Sequence, residues 1–70
     1  MTQNDLVNWF TYHAPNDAQK VNYALIRSAA MSFATAILDN TPSCADQTAA
    51  IRKVREAVMT ANAAIVCEGK

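Results

Sequence analysis

Few side chains in this 70-residue sequence can do covalent chemistry, and their positions do not let them do it together. His13 is the single histidine, so any Ser-His-Asp or Cys-His arrangement has to use it. No Gly-rich elbow or strand-turn-helix context surrounds any Ser or Cys to complete such a site. Cys44 and Cys67 are the only cysteines. If both lie on one helix they stand roughly 34 Å apart, too far for a disulfide. Two thiols and one imidazole also fall short of a zinc site on ligand count. Gly69 is the only glycine, which removes phosphate-cradling loops of the P-loop or Rossmann type. Asp39 and Asp46 serve a turn and the other acids are scattered, so no carboxylate pair converges for acid-base work. The sequence therefore reads as a binder, with no catalytic residue, metal or cofactor.

The groups suited to binding are more concentrated. Phe10, Tyr12, His13 and Pro15 fall in one short stretch and offer flat faces on which nucleobases stack, worth on the order of 1 to 3 kcal/mol per base. Lys20, Tyr23 and Arg27 then recur at spacings of three and four, so two cations flank an aromatic ring on one helical face. That combination suits a small nucleotide. A plainer alternative stands beside it: Phe10 and Tyr12 pack a short helix onto the rest of the chain and His13 caps a turn. Arg27 would then pair with Glu56 on the surface, for at most about 1 kcal/mol. Arg52, Lys53 and Arg55 form a second cationic group, with Arg52 and Arg55 on one helical face and Lys53 turned away. It is either a solvated face or an anion site completed by symmetry, where the same arginine from several subunits converges on an axis. Met59 and Asn62, one turn further along, would line it.

The elements that must position these groups are helices. Three helix starts carry a capping side chain followed three residues later by one that reaches back: Thr2 with Asp5, Asn16 with Gln19, and Ser43 with Asp46. The first predicts a short helix over 3–9, too short to stand undocked. Pro15 makes 10–15 a loop. From Asp17 to about Asp39 there is no Gly or Pro, and Ile26, Ala30, Phe33 and Ile37 form one apolar stripe. Asn40-Thr41-Pro42 ends that helix, and so short a link forces antiparallel packing of the next, over about 44–66. There Ile51, Val54, Val58, Ala61 and Ile65 form the facing stripe, and Gly69 lies just past the helix end. The expected fold is all-α, a single domain over 1–70: a short helix and aromatic loop (1–15), then a two-helix antiparallel hairpin (16–40 and 43–67).

A chain this short gains little from an isolated core, and disulfide and zinc are already excluded, so association must supply the rest. Val21, Leu25, Ala29 and Ala36 on one helix and Ala50, Ala57, Ala61 and Ala64 on the other form a further small-residue strip suited to a subunit interface. Six basic and six acidic residues cancel, which argues against a general grip on DNA or RNA. No stretch approaches a membrane span and the N-terminus lacks a basic leader, so a cytosolic protein without a membrane partner is expected.

Phe10-Thr11-Tyr12-His13-Ala14-Pro15-Asn16, Tyr23-Ala24-Leu25-Ile26-Arg27, Thr41-Pro42-Ser43 and Glu56-Ala57-Val58-Met59-Thr60-Ala61-Asn62-Ala63-Ala64-Ile65 together resemble a family of small phage proteins. These are the anti-CBASS cyclic-nucleotide sponges, whose hairpin domain is shared with the Thoeris anti-defence sponges. The resemblance implies a protein that binds the cyclic oligonucleotide alarm signal of bacterial immunity, such as cyclic GMP-AMP, and withholds it from its effector without breaking a bond. It implies compact homo-oligomers, commonly hexamers, in the cytoplasm of the infected host. Cyclic dinucleotides would lie between paired subunits and, in some members, cyclic trinucleotides at a separate site on the threefold axis. On this sequence Tyr12 is implied to stack on a base and Arg27 to meet a phosphate, with His13 and Pro15 lining the loop. Thr60, where many relatives have Trp, and the tail Val66-Cys67-Glu68-Gly69-Lys70 depart from the family pattern near the trinucleotide site. A helical protein-interaction module without a nucleotide ligand is the alternative from another class.

Overall fold

A computed structural model describes residues 1–69, which form three helices: α1 (Gln3–Phe10), α2 (Asp17–Asn40) and α3 (Ala45–Val66). Two of the three expected starts are built reciprocally. At α1 the Asp5 N–H donates to Thr2 Oγ1 (3.2 Å) and the Thr2 N–H to the Asp5 carboxylate (2.8 Å). At α2 the Gln19 N–H donates to Asn16 Oδ1 (2.8 Å) and the Asn16 N–H to Gln19 Oε1 (3.0 Å). Each pair satisfies donors that the helix itself leaves orphaned.

The third start differs. The N-cap of α3 is Cys44, one residue beyond Ser43, and no side chain caps it. Gln47 is the residue three past this cap, and its amide is used elsewhere: Nε2 donates to Leu38 O (3.3 Å) and Thr41 O (3.1 Å). Asn40 Nδ2 meets Ala36 O (2.8 Å) and Thr41 Oγ1 meets Ile37 O (2.6 Å). Successive carbonyls at the end of α2 thus find side-chain donors, and Gln47 ties the start of α3 to them. The register of α3 follows this tie and not the Ser43 box.

At the other end of α3 the glycine is also one place off. The Gly69 N–H donates to Ala64 O (3.0 Å) and the Glu68 N–H to Ile65 O (3.2 Å), the two bonds of a Schellman cap. The left-handed residue that closes this cap is Glu68 (φ 55°), a position glycine usually takes. Gly69 follows it, also at positive φ (76°).

α2 and α3 pack side by side along their length. Half-buried Tyr23, Ile26, Ala30, Ala34 and Ile37 face half-buried Ile51, Val54, Val58, Ala61 and Ile65. Phe33 is a correction: it is 61% exposed, and Ala34 takes its place in the seam. Both continue the spacing from Ile26 and Ala30, and the smaller side chain lets the helices approach. Two long-range bonds register the open end, Gln19 Nε2 to Ile65 O (3.1 Å) and Tyr23 Oη to Asn62 O (3.4 Å).

The hairpin is a single layer, 15 Å through its thinnest dimension against 44 Å in length. Cys67 is the one buried apolar residue among the described residues. The chain exposes 5527 Å², whereas a compact protein of its mass exposes about 4,300 Å². Against the expectation that no stretch approaches a membrane span, the 24-residue α2 holds an 18-residue stretch of mean hydropathy 1.3, enough by length and composition alone to cross one. The cause is alanine, Leu25, Val21 and Phe33 outside the seam, so that α2 is apolar well beyond one stripe. Arg27 in its midst is the group that lipid would disfavour.

Candidate ligand-binding site

The aromatic loop is built from the end of α1. That helix leaves its last carbonyls without intrahelical donors, and the loop supplies them. Thr11 Oγ1 donates to Val7 O, and His13 Nε2 lies 2.7 Å from Asn8 O. A carbonyl only accepts, so Nε2 carries a proton. Cys67 Sγ, from beyond α3, reaches the same Asn8 oxygen at 3.9 Å. The loop is therefore folded back onto α1 and α1 is tied to the end of α3. His13 and Pro15 are half-buried in this frame, while Phe10 and Tyr12 project from it at 83% and 86% exposure.

The three residues grouped on α2 separate in the structure. Tyr23 turns into the seam, where its hydroxyl donates to the Asn62 carbonyl. Lys20 stays on the surface, 4.0 Å from Asp17. Arg27 is exposed and makes no ion pair with Glu56, so the plain surface pairing is not formed. From Asp17 at the helix start to Arg27 the axis rises about 15 Å.

On α3, Arg52 and Arg55 are exposed and share a face with Met59 and half-buried Asn62, since the helix runs unbroken through all four. Met59 also joins Phe10, Trp9, Ala63 and Cys67 in an apolar pocket of about 590 Å³. One residue from each expected site, Phe10 and Met59, therefore meets in a single hollow at the open end. Two buried polar atoms lack partners here, Asn8 Nδ2 and Asn62 Oδ1. Such groups cost about 1 to 3 kcal/mol each while unsatisfied. Both belong to residues whose backbone carbonyls already hold the loop and the seam.

This short-helix, pinned-loop and hairpin arrangement has a counterpart among known families. Residues 2–66 match the family model described as Acb2/Tad1, hairpin domain. The chain belongs to the Acb2/Tad1 hairpin family. Curated proteins and solved structures give no significant match. Acb2/Tad1 hairpin proteins are non-catalytic sponges of the phage anti-CBASS and anti-Thoeris type, and this chain is accordingly not an enzyme. Among the described residues no three His, Cys, Asp or Glu side chains gather to hold a metal ion.

Within the Acb2/Tad1 hairpin, three positioning residues escaped the sequence reading. Asn8 receives two side-chain donors at one carbonyl, Gln47 closes the turn, and Cys67 is the most buried side chain of the described residues. Asn8 and Cys67 carry no local signal, because their partners come from beyond the helix each belongs to. Gln47 had one: an amide three residues past an uncapped helix start is free to bond elsewhere.

Proposed function

We propose that this Acb2/Tad1 hairpin protein sequesters cyclic dinucleotides such as cyclic GMP-AMP, and so blocks CBASS signalling in the cytoplasm of the infected bacterium. The observation that carries the reading is Tyr12: it is 86% exposed on a loop whose neighbours are pinned by Thr11, His13 and Cys67. An aromatic ring held out on a braced loop loses little freedom when a base stacks on it. Arg27 supplies the charge. A cyclic dinucleotide carries two phosphates on a small ring, and two arginines related by a twofold axis neutralise both with bidentate geometry while the chain stays net neutral. A single-layer hairpin 15 Å through its thinnest dimension does not enclose a ligand of two nucleotides, so sequestration calls for a second copy. The working form is therefore a homo-oligomer, a hexamer by family analogy.

His13, Pro15 and Phe10 frame the base site, with Lys20 beside it and Tyr23 holding α2 to α3. Arg52, Arg55, Met59 and Asn62 are the residues that a second site, for a cyclic trinucleotide on a symmetry axis, would use. Release is slow when a ligand is enclosed between subunits, which is what sequestration requires.

Calorimetric titration with cyclic GMP-AMP tests the reading. Wild type is expected to bind, to return the ligand intact after heat denaturation, and to lose binding with Tyr12→Ala and with Arg27→Ala. Since each substitution removes a contact from both copies, Tyr12→Ala should cost about 2 to 6 kcal/mol. No binding by wild type, or unchanged binding by both variants, sinks the proposal.

A further inference from the structure

Arg27 on α2 and Arg55 on α3, which spacing alone assigns to separate groups, share one side of the hairpin. Their levels follow from the bonds across the seam. Tyr23 Oη meets Asn62 O and Gln47 Nε2 meets Leu38 O. Counting on from these pairs puts Arg27 level with Val58 and Arg55 level with Ala30, so the two arginines differ in level by about 4.5 Å of helix rise. Their side follows from periodicity. Arg27 lies about 100° around α2 from the seam residue Ile26, and Arg55 about 60° around α3 from the seam residue Val58, in the same rotational sense. In an antiparallel pair the same sense leads to the same side. Ala29 and Ala57 show this, since both are turned in the other sense and both line one groove. With axes roughly 8 to 10 Å apart, the α carbons of Arg27 and Arg55 stand about 10 Å from one another.

The fold uses neither side chain. Both are exposed, and among the described residues neither enters an ion pair or a side-chain hydrogen bond. Lys20, on the same side of α2, is answered by Asp17 at 4.0 Å. Glu56 is turned about 100° further around α3 than Arg55, away from the seam. Two uncompensated cations on one strip repel each other, and an anion seated between them is attracted by both. We infer that Arg55 is a second phosphate ligand of the Arg27 site, the two guanidinium groups of one chain straddling one phosphodiester of the bound cyclic dinucleotide. A phosphodiester offers two non-bridging oxygens, one for each guanidinium. Side chains as long as arginine close on such a group from both helices, whereas Arg27 alone holds it from one. Release then has to break both contacts, which lengthens the residence of the ligand. Arg52 stays outside this clamp: it lies nearly a turn closer to the closed end than Arg55 and about 60° further around α3.

This inference rests on the proposed binding of cyclic dinucleotides. It is tested by calorimetric titration of wild type, Arg55→Gln and Lys53→Gln with cyclic GMP-AMP, with circular dichroism to follow helicity. Lys53 controls for the loss of a charge, because periodicity turns it about 160° away from Arg55. Expected is a helical Arg55→Gln that keeps the wild-type number of sites and binds about tenfold more weakly, while Lys53→Gln stays within about twofold of wild type. Unchanged affinity in Arg55→Gln overturns the inference and leaves Arg27 and the proposed function standing. Fewer sites at unchanged affinity would place Arg55 in a separate site and overturn it as well. An equal loss in Lys53→Gln reduces the effect to net charge and rejects the clamp. A wild type that does not bind overturns the proposed function together with this inference. Should Arg55→Gln fail to fold, phenylglyoxal modification of the wild type decides. Cyclic GMP-AMP should slow the reaction at Arg55 several-fold, as at Arg27, and an unslowed reaction at Arg55 rejects the contact.

Discussion

The two ends of the hairpin are finished to different degrees. At the turn, Asn40, Thr41 and Gln47 answer the carbonyls of Ala36, Ile37, Leu38 and Thr41, all from within the segment itself. At the open end, α1 is held through a few bonds to the Asn8 carbonyl, two aromatic rings stand in solvent, and two buried amide atoms lack partners. A self-satisfied turn fixes the hairpin's register. An end left incomplete is where a protein has something to gain from a ligand or another copy. On the proposed function, stability is set mainly at the turn and binding at the open end, and substitutions at the two ends should separate the two properties.

Among substitutions that tell the two ends apart without removing a ligand-stacking ring or charge, the largest effect is expected from His13→Ala. Removing the imidazole leaves the Asn8 carbonyl with only the weak thiol contact, and the loop that carries Tyr12 loses its brace. A lost hydrogen bond that leaves a part-buried carbonyl short of a donor costs about 1 to 3 kcal/mol. Most of this should appear as weaker binding of cyclic GMP-AMP, since the loop melts locally before the hairpin does. Fluorescence of Trp9, the single tryptophan, reports the local change, and calorimetry the affinity. Equal affinity with His13→Ala would remove the loop brace from the mechanism.

Gln47→Ala is the matching experiment at the other end. It removes the donor to Leu38 O and Thr41 O, two partly exposed bonds together worth about 1 to 2 kcal/mol. Urea unfolding should show that loss while the intrinsic affinity of the folded protein for cyclic GMP-AMP is unchanged. If Gln47→Ala weakens ligand binding as strongly as it weakens folding, the two ends are coupled and the division is wrong.

How far the sequence foretold this division follows from where each bond is made. The starts of α1 and α2 were legible because both members of each capping box lie within four residues. The start of α3 was not, because Gln47 is drawn to carbonyls of the preceding helix, a contact that exists only once the hairpin has closed. Phe33 was misplaced for a related reason. A stripe read from side-chain size favours the larger of two adjacent candidates, whereas two helices in close approach favour the smaller, Ala34. At the site, the exposure of Tyr12 could be anticipated from the loop, but Cys67 bracing α1 spans almost the whole chain. Long-range contacts with a single weak donor leave no local pattern to read.

The uncapped start of α3 offers a smaller, stabilising change. Cys44 has N-cap geometry (φ −162°, ψ 174°) without a side-chain cap bond. Cys44→Asp provides an acceptor for the first-turn N–H groups and a negative charge at the positive end of the helix. A gain of about 1 kcal/mol is expected in urea unfolding, with binding untouched because the position is at the turn. No gain would mean that the tie through Gln47 already holds the first turn in a geometry the new carboxylate does not reach.

The smallest effect is expected at Glu68, and it probes the incomplete end without touching the ligand. Glu68 is in the left-handed region at φ 55°, which costs a non-glycine residue about 1 to 2 kcal/mol. Glu68→Gly relieves that cost but adds backbone freedom to the unfolded chain, worth roughly 0.4 to 1 kcal/mol in the other direction. A net gain of about 0.5 kcal/mol should follow, read as a slightly raised urea midpoint. The sign carries the information. The cap formed by Glu68 and Gly69 holds Cys67 against Asn8, so a left-handed cap eased by glycine should also slow the release of α1, seen as slower amide exchange through Gln3–Phe10. A destabilised Glu68→Gly would show instead that the freedom glycine gives the unfolded chain outweighs the relieved strain, and that the left-handed cap is not what limits the hold on α1.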